Sequence, residues 1–372
     1  MTWKVKGVSW LLGISLTVGG PGGRQLDARR HLARQSAPGC EAVPQALHLL
    51  QEYQQTQAIP GMQVAASLRG QMLLSEGLGY ADVARQLPVT TTTRFRVGSV
   101  SKSLTSVALV QLAATHRLEL DAPVQRYVPG FPASGSPITA RALAGHLAGI
   151  RHYRPGDGHD ALRTEHYQTA TQALAVFQND PLVAEPGTRF FYSSFGWNLL
   201  GAVIEGASGE PFLHYMQRAV WQPLGMVYTS GDRADSVSSD RSRLYSKGSQ
   251  LAIADDVSYK YPSGGMLSTA EDLVKYGNAL LGKAFLTPAQ KRLLFTSQAT
   301  HDGRSTHYGM GWRLETTRSG HKLYWHDGVV NGGSASLLLY PDDDLVVAIL
   351  ANSRQGATLN AKAIGDLFLS CK

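Results

Sequence analysis

Ser99 and Lys102 stand three residues apart where the run Arg94-Phe95-Arg96-Val97-Gly98 enters a segment of largely small and apolar residues. A helix starting here projects both side chains from one face. The fold must then enclose a hydroxyl and an amine together, because Val97, Val100, Leu104, Val107 and Leu109 promise an apolar surround. A serine hydroxyl is a weak nucleophile until a neighbour takes its proton, and a lysine takes it only when uncharged. Burial, the positive end of the helix and any second cation each push the amine down from its ordinary value of about 10.4. Gly98 suits a tight entry, where free backbone N–H groups face whatever approaches the serine.

The spacing alone does not decide. Ser319-Gly320-His321-Lys322 repeats it inside Thr317–Trp325, which reads as a turn feeding a strand. Positions three apart on a strand face opposite sides of the sheet, so that pair cannot meet. The plain alternative for the first match is a helix start capped by Ser99 or Ser101 with Lys102 solvated. Two further segments favour the chemical reading. Arg189–Gly201 sets Tyr192 and Ser194 two apart in a turn before the apolar run Leu199–Ile204, and Tyr324–Gly333 sets His326 and Gly328 on a strand.

These three ordered elements resemble those of the penicillin-recognising serine hydrolases, the family of class C β-lactamases, DD-peptidases and related esterases, whose motifs are Ser-x-x-Lys, Tyr-x-Asn and Lys-Thr-Gly or His-x-Gly. The resemblance runs from about Ile59 to Leu369 and takes in Val97–Ser103, Leu118–Val124, Gly149-Ile150-Arg151-His152-Tyr153 and Ser263–Leu273. Gly149–Tyr153 and the continuation Ser101-Lys102-Ser103-Leu104-Thr105 are similar to the branch containing the mitochondrial serine β-lactamase-like peptidase and its bacterial relatives.

The resemblance implies an α/β (α+β) fold of the β-lactamase/transpeptidase type: a central antiparallel sheet flanked by helices, with a mostly helical subdomain. It implies Ser99 as the acylated nucleophile, Lys102 as base or electrostatic activator, and Tyr192 as proton shuttle, the choice of acylation base between lysine and tyrosine staying open. The N–H groups of Ser99 and Val329 would form the oxyanion hole. His326 would wall the substrate side of the edge strand, with Gly328 keeping that strand close. Ser194 stands where the family usually has asparagine, which implies one amide donor fewer for Lys102 and for a substrate carbonyl. His326 in place of lysine removes a permanent charge and titrates near 6.5 when unperturbed, so carboxylate recognition should weaken and improve from pH 8 to 6. The expected activity is a serine hydrolase acting on ester or peptide substrates, D-alanyl peptides and β-lactams among them, without a cofactor. The alternative is a nearly silent module that binds peptide or envelope fragments.

The 372 residues, 43% of them hydrophobic, can bury one sizeable core, and no Pro/Gly/Ser-rich linker divides the interior. Residues 1–22 read as a signal peptide or signal anchor, with Lys4 and Lys6 ahead of the apolar run Val8–Val18, so export to the periplasm or medium is expected. Residues 23–41 read as a leader and 42–372 as the catalytic domain, with a helical insert over about 105–261. In an exported chain of this fold Cys40 and Cys371 could pair, and two free thiols remain equally open.

A helix is expected over Pro44–Gln57, then a hairpin of Gln63–Leu68 and Met72–Leu74, then late strands at Tyr308–Leu314, Leu323–His326, Ala335–Leu339 and Val346–Leu350 before a helix at Leu359–Leu369. The net charge of +7 is scattered, so loose attraction to an anionic cell envelope explains it better than nucleic acid does. His146, His152, Asp157, His159, Asp160 and His166 cluster in sequence but lack metal-ligand spacing, and no metal is expected.

Overall fold

The computed structural model describes residues 40–371 except 155, 157 and 235–237, and omits the side chains of 158, 159, 357 and 358. The expected signal, and the leader up to residue 39, lie outside the described residues.

Helix α1 (Ala42–Thr56) leads into strands β1 (Gly61–Leu68) and β2 (Gln71–Asp82), joined by a turn in which Arg69 and Gly70 both take positive φ, +52° and +75°. That backbone matches the right-handed twist of the two strands. Strand β2 runs eight residues past its expected end at Leu74 because Tyr80 and Asp82 also pair with the short β3 (Leu87–Pro88). Strand β4 (Phe95–Arg96) precedes helix α2 (Val100–Ala114), and helix α3 (Ser194–Ser208) follows a long looped stretch. Next come β5 (Ser230–Gly231), β6 (Met266–Ser268), α4 (Ala270–Leu281) and α5 (Pro288–Phe295). The chain closes with β7 (Arg313–Thr316), β8 (Lys322–Val330), β9 (Gly333–Tyr340), β10 (Leu345–Ala351) and α6 (Ala361–Phe368).

Seven strands form one antiparallel sheet in the order β3-β2-β1-β10-β9-β8-β7. Every residue of β10 is buried, since helices cover both faces and the usual in–out alternation has no solvent side to report. On one face Ala46 and Leu50 of α1 and Ile364 and Phe368 of α6 pack on Val64, Leu338, Val347 and Ile349. On the other, Leu104 of α2 and Leu273 and Val274 of α4 pack on Ala65, Leu337, Leu339 and Ala348. Cys40 and Cys371 are joined by a disulfide, their Cα atoms 5.3 Å apart, which ties the start of α1 to the end of α6.

Two expectations need correction. The stretch expected as a strand over Tyr308–Leu314 is mostly a turn, with His307 and Gly311 at positive φ and Gly309 N–H bonded to the Trp312 carbonyl, so β7 begins only at Arg313. A second sheet, β4-β6-β5, escaped the sequence reading because its strands are two or three residues long. It places Arg96 three residues ahead of Ser99.

Candidate active site

Ser99 sits at the N-cap of α2 with its side chain uncommitted to capping, which removes the plain alternative of a Ser99 cap. Ser101 does not cap either; its Oγ takes the N–H of Met266. Gly98 holds φ at +51°, and a side chain there would meet Val329 N at 2.7 Å. A Cβ on Gly328 would lie 1.9 Å from the Val97 carbonyl and 2.8 Å from Ser99 N. Helix start and strand edge are thus in direct main-chain contact.

The hairpin β8–β9 closes through the two residues Asn331 and Gly332, so Val330 and Gly333 form a hydrogen-bonded pair and Val329 and Ser334 do not. Val329 N–H therefore points off the free edge, on the side where Gly98 and the start of α2 approach. Strand β7 pairs with β8 only up to Trp325, which leaves that edge open beyond it. Arg96 fixes the junction: its Nη1 donates to the Asn331 carbonyl at 2.9 Å, and its guanidinium pairs with buried Asp232 at 2.6 Å and Asp255 at 2.7 Å.

Lys102 is fully buried, and its Nζ lies 2.9 Å from Ser99 Oγ, 3.1 Å from Ser194 Oγ and 2.7 Å from the Ser263 carbonyl. Burial, then the charges of Lys260 and Arg313, hold the amine well below the ordinary lysine value. Lys260 is itself buried, bonded to the Ala161 carbonyl at 3.0 Å, and pushed down to about 8 by burial. Tyr192 lies over Lys102, Nζ to ring centroid 4.9 Å, and shares a hydrogen bond with Ser99. Burial raises its phenol despite that bond. Two adjacent groups are driven in opposite directions, the lysine toward neutral and the tyrosine toward protonated.

Ser194, at the first turn of α3, reaches Lys102 in spite of its short side chain. The turn before it is held by two histidines of the cluster that lacks metal-ligand spacing. Nδ1 of His146 accepts the Ser193 N–H at 3.0 Å, and Nδ1 of His152 accepts the Ser194 N–H at 3.1 Å. Of the other acidic and histidine residues in that cluster, Asp160 pairs with Arg151 at 2.7 Å and His166 with Asp256 at 2.8 Å. Asp157 lies outside the described residues. No group of three metal-ligating side chains occurs among the described residues.

His326 departs from its expected place. It is 1% exposed, so it does not face substrate; Nδ1 donates to the Asp327 carbonyl at 2.7 Å and Nε2 accepts from the Tyr308 hydroxyl at 2.9 Å. Burial, with Lys102 and Arg313 nearby, pushes it down to about 3, so no titration falls between pH 8 and 6. The charge thought missing is supplied from the neighbouring strand: Arg313 lies 6.0 Å from the Tyr192 ring and 5.3 Å from that of Trp325, with no ion pair among the described residues. A lone arginine on a short strand carries no motif, which is why the sequence reading passed over it. The second Ser-x-x-Lys, 319–322, is a turn feeding β8, as expected, with Gly320 N–H on the Thr317 carbonyl.

A family model described as Beta-lactamase matches residues 47–369. The human mitochondrial serine β-lactamase-like protein LACTB is 30% identical over 442 aligned residues, covering 88% of this chain and 80% of that protein. The octameric penicillin-binding protein homologue from Pyrococcus abyssi is similar at 25% identity and TM-score 0.73, over 87% of this chain and 76% of that one. The penicillin-binding protein from Bacillus halodurans gives 25% identity and TM-score 0.74, over 86% and 99%.

Proposed function

The chain belongs to the β-lactamase family, and from that footing we propose that it is a hydrolase that forms an acyl-enzyme on Ser99 and releases the acyl group to water. The observation that carries this reading is the 2.9 Å contact between Ser99 Oγ and an amine whose hold on its proton is weakened by burial. A neutral amine has two N–H bonds and one lone pair. The Ser263 carbonyl can only accept, Ser194 Oγ takes the second N–H, and the lone pair is left for the Ser99 hydroxyl.

Lys102 then removes the hydroxyl proton as Oγ attacks the substrate carbonyl, and negative charge develops at the N–H groups of Ser99 and Val329. The raised phenol of Tyr192 gives its proton to the leaving group and recovers one from the Lys102 ammonium. Deacylation runs the relay backward, with water in the leaving group's place. Gly328 permits the close approach that the oxyanion donors need. His326 serves from behind, as a neutral ring beside Tyr192, its centroid 6.3 Å away.

The substrate class follows from the charges. Arg313 offers a permanent cation at the open edge, so esters and peptides bearing a carboxylate bind better than neutral ones. Incubation with a fluorophosphonate followed by peptide mass analysis tests the acyl-enzyme. An adduct on the Ser99 peptide, absent in Ser99→Ala, supports it, and no adduct at any pH returns the chain to the binding-module reading. Arg313→Met should lower kcat/KM for a succinyl p-nitrophenyl ester about tenfold relative to the butyryl ester, and an unchanged ratio removes Arg313 from recognition.

A further inference from the structure

A cavity of about 490 Å³, a size that takes a small molecule, shares one turn with the active site but none of its reacting groups. Tyr261 and Pro262 line it, while the next residue, Ser263, gives its carbonyl to Lys102 Nζ at 2.7 Å. Ser99, Tyr192, Arg313 and His326 are absent from its walls. The helical run 212–221 contributes Phe212, Leu213 and Trp221 to the lining, and the small sheet contributes its charge. Arg94, just ahead of β4, donates from Nη1 to Ser230 Oγ of β5 at 3.2 Å. Arg241 bridges Arg94 through the backbone, and Arg233 N–H donates to the Gly231 carbonyl of β5 at 3.1 Å. Three arginines of the lining thus gather around β5.

The lining is short of negative charge. Its one carboxylate among the described residues, Glu205, is committed to the backbone N–H groups of Ala170, Thr171 and Phe212. Asp240 pairs with Arg94 and Asp232 with Arg241, each at 2.9 Å, but neither carboxylate lines the cavity, and Asp232 is shared with Arg96. Burial lowers the Arg241 guanidinium from its ordinary value against the pull of Asp232, and the charges of Arg96 and Arg94 lower it further. On the apolar side Trp221 is buried, and its indole N–H has no partner among the described residues. We propose that this cavity is a second binding site, for a small carboxylic acid with an apolar or aromatic body, its carboxylate held by the arginines around β5 and its body against Phe212, Leu213 and Trp221. The guanidinium fork matches a carboxylate in shape as well as charge. A neutral molecule would leave the excess of cations uncompensated, and a bare anion would leave the apolar wall wet.

Isothermal titration of the full chain with 4-phenylbutyrate tests the site, with 4-phenylbutan-1-ol as the neutral analogue. One equivalent of the acid should bind about tenfold more tightly than the alcohol. Arg233→Met, at an exposed position, should weaken the acid about tenfold and leave the alcohol unmoved, whereas Leu213→Trp should fill the cavity and abolish both. Arg313→Met, at the Ser99 cleft, should leave the acid's affinity unchanged. Equal binding of acid and alcohol, or no saturable binding, overturns the proposal. So does acid binding that survives Leu213→Trp, that is unmoved by Arg233→Met, or that is lost in Arg313→Met. Thermal midpoints check that each variant folds, and if Leu213→Trp does not, Arg233→Met decides.

Discussion

Three contacts fix what the Lys102 amine can do, and the same burial that pushes it toward neutral raises the Tyr192 phenol and keeps His326 uncharged. Lys102→Ala should cut the rate of Ser99 acylation by about 10³-fold, measured by stopped-flow with a chromogenic ester. His326→Gln should leave the shape of the pH–rate profile between 6 and 8 unchanged, since a ring held at about 3 has no titration there to lose. A new inflection near 6.5 in the wild type would contradict that. Ser99, Lys102 and Tyr192 were legible because their spacing is local and their chemistry restrictive. Arg313 was not, since its value depends on what the fold leaves without an ion pair.

Two elements have to touch for the oxyanion donors to converge: the start of α2 and the free edge of β8. Their contact rests on Gly98 and Gly328, and on Arg96 anchoring Asn331 from β4. Gly328→Ala should push the strand off the helix and cost about 10²–10³ in kcat, because one donor moves out of reach. Arg96→Met should destabilise the fold by about 3 kcal/mol in urea titration, since buried Asp232 and Asp255 lose the cation they share and keep Arg241 and the more distant Lys260. Long strands and helices were readable from apolar runs, Leu345–Ala351 above all. The strands β4, β5 and β6 were not, since two or three residues carry no period and their pairing is entirely tertiary.

The sheet, the two helical faces and the Cys40–Cys371 bond close into one unit whose ends are tied together. Cys371→Ser should lower the unfolding free energy by about 2–4 kcal/mol while Ser99 labelling persists, because the crosslink constrains the unfolded chain more than the site. Acid should act through the buried histidines. His326 at about 3 and His152 at about 4 both lie below the unfolded value of about 6.5, so the stability they hold is complete above about 6.5 and drains as pH falls toward their folded values. Each contributes up to about 1.4 kcal/mol per pH unit across that window, and His326→Gln should flatten the slope of urea stability between pH 6.5 and 4 by about that amount.

The claim on which the mechanism turns is an uncharged amine at Lys102 facing the Ser99 hydroxyl, and the pH dependence of fluorophosphonate labelling at Ser99 reads it directly. The wild type should reach its full labelling rate well before the ordinary lysine value of about 10.4, and Lys102→Ala should label about 10³-fold more slowly across the range. A rate still climbing through 10.4, or a Lys102→Ala variant labelling as fast as the wild type, would contradict the account.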